Sequence, residues 1–90
     1  MMSTIDRQAQ PATVVLQPTQ PPGEPDLLLY WVSTTPTGNH LPADARLLGE
    51  FAPGRSIPFP PEASPNAGYL VLYSLAHKTI TDIAPVEEIR

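Results

Sequence analysis

The stretch "DLLLYWVST", residues 26–34, decides the fold of this chain because it places six large apolar residues in a row. Successive side chains of a β-strand point to opposite faces of its sheet. Such a strand would carry two apolar faces, formed by Leu28, Tyr30 and Val32 on one side and by Leu27, Leu29 and Trp31 on the other. One set can pack in a core, and the second set must be covered from solvent by something else.

The length and the composition limit the kind of protein this is. Ninety residues without cysteine predict one domain with a thin core and no disulfide or thiolate metal site. The start "MMSTIDRQAQ" lacks the basic and apolar regions of a signal peptide, and no apolar run approaches the ~20 residues of a membrane span. We therefore expect no secretion signal and no membrane association.

The charge argues against a nucleic-acid partner. Nine acidic and five basic residues give a net charge of −4. Binding to phosphates requires a basic face. The basic residues are instead scattered along the chain, at Arg7, Arg46, Arg55, Lys78 and Arg90.

Proline is the outlier, with 13 residues, 12 of them between Pro11 and Pro65. Proline inside a helix costs about 3 kcal/mol, which excludes useful helices over that span. Disorder is the rival interpretation of a proline-rich chain, but 41% hydrophobic residues and a low charge favour a folded β domain.

Short apolar or β-branched segments separated by turn signals predict six or seven strands and an all-β, antiparallel β-sandwich. The predicted strands lie within 12–18, 26–34, 45–52, 56–60, 69–77 and 79–89. Residues 1–11 are predicted to be a flexible, extended N-terminal arm or a weak edge strand, and residues 12–90 the domain. Pro58 places its strand at a sheet edge. The segment "YLVLYSLAH", 69–77, has one or two helical turns as an alternative.

The segment "PNAGYLVLYSLA", residues 65–76, resembles the corner and the penultimate strand of a fibronectin type III domain. A proline stands four residues before a tyrosine, and apolar residues then alternate at Val71, Tyr73 and Leu75. The resemblance implies that Tyr69 forms a tyrosine corner, with its ring in the core and its hydroxyl bonded to nearby backbone.

Two upstream segments extend the resemblance to residues 12–86. "LLLYWVSTTPTG" is similar to the third strand of that family, and "ARLLGEFAPGRSIPFPP" is similar to its fourth and fifth strands. The second strand, "TVVLQP", lacks the tryptophan of the family, and "STIDRQAQ" matches the first strand poorly. A generic immunoglobulin-like sandwich is the alternative.

The resemblance implies that the third and the penultimate strands are neighbours in one sheet. The inward, core set is then Leu28, Tyr30, Val32, Tyr69, Val71, Tyr73 and Leu75. The outward set, predicted to be a protein interface, is Leu27, Leu29, Trp31, Leu70 and Leu72. A large exposed apolar patch usually marks a contact site. Two alternatives stay open: the N-terminal arm or the 35–44 loop covers the patch, or the register is wrong by one residue.

The sequence contains no recognisable catalytic, cofactor or metal motif. Its two histidines, His40 and His77, lack accompanying ligands at metal-site spacing. No serine stands in a nucleophile elbow, and no glycine-rich phosphate loop is present. We expect no enzyme and no cofactor. The tracts "QPTQPPGEP" and "IPFPPEASP" are candidates for polyproline ligands, although strand edges and rigid loops are the simpler use.

These observations predict a non-enzymatic structural protein that docks on a larger assembly. Because small accessory domains of bacteriophage virion proteins share the resemblance, the expected setting is a phage capsid or tail lattice, assembled in the host cytoplasm, with self-association as a further option. The alternatives are a recognition module that binds a host surface glycan or protein through loops 19–25, 35–44 and 61–68, and a small soluble regulator of a partner protein.

Overall fold

The computed structural model describes residues 2–17, 27–51 and 54–88, and it confirms the all-β class. Its seven strands are β1 (Met2–Asp6), β2 (Thr13–Gln17), β3 (Leu27–Val32), β4 (Arg46–Glu50), β5 (Ser56–Pro58), β6 (Tyr69–Ser74) and β7 (Thr79–Pro85). The one helical element among the described residues is a single 3-10 turn, Val86–Glu88. The helical alternative for 69–77 is therefore wrong, because that segment forms β6 and the turn after it.

The strands form two antiparallel sheets, in the orders β1-β2-β5 and β4-β3-β6-β7. The third and the penultimate strands are neighbours, as expected, and they pair over their full length from Leu27↔Ser74 to Val32↔Tyr69. Pro58 lies in β5, the edge strand of its sheet, as predicted. Proline lacks a backbone N–H, and an edge strand needs none on the side that faces away from its neighbour.

The N-terminal residues form a strand rather than an extended arm. β1 pairs with β2 from Met2↔Gln17 to Asp6↔Thr13, which is the edge-strand alternative for this segment. Ile5 is buried and lies opposite Val14, so β1 contributes to the core. The sandwich therefore begins within the first eleven residues.

The core lies between the two sheets and is apolar. Its buried members are Ile5, Ala12, Val14, Leu16, Leu29, Ile57, Phe59, Ala63, Leu70, Leu72 and Val86. Strand alternation supplies the central ones, and residues just before β2 and after β5 and β7 close one end.

The predicted faces of β3 and β6 are reversed. Four residues of the predicted interface are buried in the protein's own interior: Leu27, Leu29, Leu70 and Leu72. The fifth, Trp31, is half-buried and packs against the core. The prediction that this set faces outward is wrong. The register alternative, a shift of one residue, describes the actual arrangement.

The physical reason for the error is that both faces of these strands are apolar, so alternation alone cannot choose between them. Placing the Tyr69 ring in the core predicts which face of β3 and β6 points inward, but Tyr69 is half-buried and lies outside the core cluster. A tyrosine ring suits a half-covered surface, because its hydroxyl can remain in water.

A tryptophan makes the contact that ties β3 to the segment before β6. The indole N–H of Trp31 donates to the carbonyl of Ala67 over 2.9 Å. Gly68 follows at φ 90°, a conformation that favours glycine, and its carbonyl accepts from the Val86 N–H over 2.9 Å. Arg7 joins β1 to the same corner by donating to the carbonyls of Pro65 and Val86.

Candidate functional site

The face of the β4-β3-β6-β7 sheet that points away from the core is the candidate functional site, and we call it the outer face. It carries the residues that alternate with the core set: Leu28, Tyr30, Val32, Leu47, Tyr69, Val71, Tyr73, Ile80 and Ile83. Five of these were predicted to form the inward, structural core: Tyr30, Val32, Tyr69, Val71 and Tyr73. They share one face, as predicted, but it is the face opposite the core cluster.

One row of the outer face runs straight across all four strands. Tyr30 lies opposite Leu47 on one side and Val71 on the other, and Val71 lies opposite Ile83. We call Leu47, Tyr30, Val71 and Ile83 the central row. All four are apolar or aromatic, which is unusual for the solvent side of an antiparallel sheet, where polar residues alternate with apolar ones.

Two tyrosines give the outer face a fixed local geometry. The rings of Tyr30 and Tyr73 meet edge to face, with centroids 6.2 Å apart and planes at 89°. Such T-shaped pairs are favoured by the charge distribution of aromatic rings. Both side chains are half-buried, so the pair is a preorganised aromatic surface that solvent still reaches.

The middle of the outer face is nevertheless sealed from water. Val32 and Val71 are each 0% exposed, although they point away from the core cluster. A bare sheet surface would leave part of such side chains accessible, so another part of the chain must lie over them.

The cover is the segment between β3 and β4, which we call the 33–45 loop. The side-chain oxygen of Asn39, in the turn between Thr37 and His40, accepts a hydrogen bond from the Ile80 N–H in β7 over 3.2 Å. β3 and β7 lie on either side of β6, so the loop tip spans two inter-strand spacings of ~5 Å each.

The path of the 33–45 loop follows from the register. The loop leaves β3 at Val32, which aligns with Tyr69, but its tip reaches the level of Tyr73, ~13 Å back along the strands. The core side is occupied by the other sheet, and the loop must also return from Ile80 in β7 to Arg46 in β4, at the opposite edge of the same sheet. The loop therefore crosses the outer face.

Further contacts stabilise the 33–45 loop. At its base the Ser33 hydroxyl donates to a carboxylate oxygen of Asp44 over 2.5 Å. At its tip the His40 N–H donates to the Thr37 carbonyl over 3.2 Å. The alternative that the 35–44 loop covers an apolar face thus describes this sheet, on the face opposite to the one predicted.

The cover is incomplete at the two sides of the sheet. Leu47, on the edge strand β4, is 52% exposed, and Ile83, on the edge strand β7, is 38% exposed. These two residues end the central row, so each end of the row is open to solvent, whereas Tyr30 is half-buried and Val71 is sealed. Leu75, predicted to point inward, is also exposed, because it lies in the turn after β6.

A separate apolar cleft of about 410 Å³ lies at one end of the sandwich. It is lined by Pro11, Ala12, Phe59, Pro60, Pro61, Ala63 and Pro65.

The proline tract 57–65 is part of the fold rather than a free polyproline ligand, because its residues Ile57, Phe59 and Ala63 are buried. The other proline tract, 17–25, lies almost wholly outside the described residues.

Across residues 2–17, 27–51 and 54–88, no group of three or more His, Asp or Glu side chains is placed to hold a metal ion. Both histidines are exposed, His40 in the 33–45 loop and His77 in the turn between β6 and β7. Within the same residues no helix is long and apolar enough to cross a membrane.

Comparison of the chain with protein-family models, with curated proteins and with solved structures found no match in any of the three.

Proposed function

We propose that this chain is a non-enzymatic docking domain that binds other protein subunits through the outer face. The observation that carries the proposal is the central row, an apolar stripe whose two ends, Leu47 and Ile83, are open to solvent. The set predicted from the sequence, which includes Leu29 and Trp31, does not support the proposal, since it packs in or against the core.

We infer that the sandwich is of the fibronectin type III or immunoglobulin-like kind. Strands 1, 2 and 5 share one sheet and strands 3, 6 and 7 share the other, which parallels the division of the A, B, E and C, F, G strands in immunoglobulin-like sandwiches. The fourth strand joins the sheet of the third. The half-buried Tyr69 departs from the expected tyrosine corner.

The proposed setting is a larger protein assembly, with a bacteriophage capsid or tail lattice as the specific prediction and self-association as its simplest form. The virion setting rests on the fibronectin type III resemblance alone. A mass-spectrometric census of a purified particle tests it: a decorating protein is present in many symmetry-related copies, whereas absence from the particle would contradict it.

Recognition of a host glycan or protein through the loops is a weaker candidate. It would use loops 19–25, 35–44 and 61–68, and the tip of the 35–44 loop is bonded to β7 through Asn39. A loop that lies against the sheet in this way presents only its outer side to a ligand. The regulator alternative predicts association with one soluble partner instead of a lattice.

The double variant Leu47→Ser with Ile83→Ser tests the docking proposal. Both side chains are partly exposed and lie outside the core cluster, so folding should be retained, while binding that buries them should weaken because the apolar area is lost. The matched control is Leu75→Ser, which removes an equally exposed leucine away from the outer face. Self-association or particle binding is measured by sedimentation. Equal loss in the control, or no loss in the double variant, would contradict the proposal.

A further inference from the structure

We propose that the 33–45 loop is a detachable cover, and that its opening exposes the middle of the outer face. The inference deepens the proposed function and rests on it for the role of the outer face. The opening of the loop is itself a property of this chain and can be measured without any partner.

The loop covers the middle of the outer face, which is the part that a docking partner would contact. Val32 and Val71 are sealed, while Leu47 and Ile83, at the two ends of the central row, are exposed. With the loop lifted, the central row becomes one continuous apolar stripe across four strands. With the loop closed, Val71 is sealed and Tyr30 is half-buried, so the stripe is interrupted between its two exposed ends.

The loop is held to the sheet by few half-buried side chains and by a hydrogen bond at its tip. Most of its side chains are exposed, and the half-buried ones are Pro36, Leu41, Pro42 and Ala45. The contact that joins its tip to the sheet is the bond from the Ile80 N–H to Asn39. A cover held by few apolar side chains and a hydrogen bond at its tip is the kind of segment that opens locally, before the core does.

The Asn39–Ile80 hydrogen bond, which we call the latch, lies beside an irregular part of the sheet. Ile80 lies in the edge strand β7, one residue before Thr81, where the β6–β7 register shifts. A register irregularity of this kind disrupts the ladder locally. The latch therefore joins the loop to an irregular part of the edge strand and involves no backbone group of β3 or β6.

The experiment measures solvent contact of the covered valines by nuclear magnetic resonance, using a soluble gadolinium chelate that speeds the relaxation of accessible methyl groups. Asn39→Ala removes the acceptor, and we expect the relaxation rates of the Val32 and Val71 methyls to rise severalfold while those of Val14 stay unchanged. Asn39→Asp keeps an oxygen acceptor and should behave as the parent chain. Asn66→Ala, in an exposed segment elsewhere, is the matched control.

Unchanged rates at Val32 and Val71 in Asn39→Ala would overturn the detachable cover, as would an equal rise at Val14, which would indicate general loosening. If Asn39→Ala does not fold, Ser33→Ala releases the base of the loop and is judged by the same readout. None of these outcomes depends on Leu47 and Ile83, so failure of the cover is distinguishable from failure of the docking proposal.

Discussion

Gly68 lies so close to Trp31 that no side chain fits at this position. A Cβ atom added there would be 2.7 Å from the indole Nε1 and 2.6 Å from the carbonyl oxygen of Val32. The glycine thus lets the segment before β6 approach β3 closely enough for the Trp31–Ala67 hydrogen bond to form. This contact closes one end of the sandwich.

Replacing Gly68 with alanine should destabilise the protein by about 3 kcal/mol, because a backbone carbonyl cannot move away as a flexible side chain can. Urea denaturation measures the loss. Gly38→Ala is the control: its φ of 59° is also positive, but no atom lies within 4 Å of the added Cβ, so it should cost only about 1 kcal/mol. Equal losses for the two variants would contradict the close approach.

Arg7→Met should lower stability by about 1–2 kcal/mol, because the guanidinium donates to two backbone carbonyls that close the same end of the sandwich. Arg7→Lys should recover little, since an ammonium group cannot reproduce two donors in a fixed planar fork. The comparison is made by thermal unfolding at matched salt. Full recovery in the lysine variant would show that charge alone matters.

Leu29 and Leu47 lie on opposite faces of the larger sheet, so their substitutions should differ in their cost to stability. Leu29→Ala should cost about 2–5 kcal/mol, because it opens a cavity in a side-chain cluster that is sealed from water. Leu47→Ala should change stability by no more than about 0.5 kcal/mol, because its side chain is half exposed. Denaturation curves of the two variants give the comparison. Similar costs would mean that Leu47 is also covered.

The fold class and the two central strands could be predicted from the sequence because they depend on local signals, whereas the pairing of β3 with β6 was expected only from the fibronectin type III resemblance. Proline excludes helices over most of the chain, and the long apolar runs at 26–34 and 69–77 identify the two central strands, β3 and β6. The position of Pro58 likewise indicated an edge strand, since a proline cannot donate to a ladder.

The direction in which those strands face could not be predicted, because it depends on contacts far apart in the sequence. Leu29 and Tyr30 are both compatible with a core, and only the packing of the other sheet against Leu29 decides between them. Similarly, "TTPTGNHLPAD" signals a turn but not its partner, since Asn39 bonds to a residue 41 positions away. The pairing of β1 depends on Ile5 meeting Val14, which no local pattern indicates.

The proposed docking surface depends most on which side of β3 faces the core, and one relaxation experiment with a soluble gadolinium chelate tests this directly. Compared in the same sample, the Leu47 methyl groups should relax rapidly, and the Leu29 methyl groups should remain as protected as those of Val14. Protection of Leu47 together with strong relaxation of Leu29 would contradict the assignment of faces, and with it the proposed docking surface.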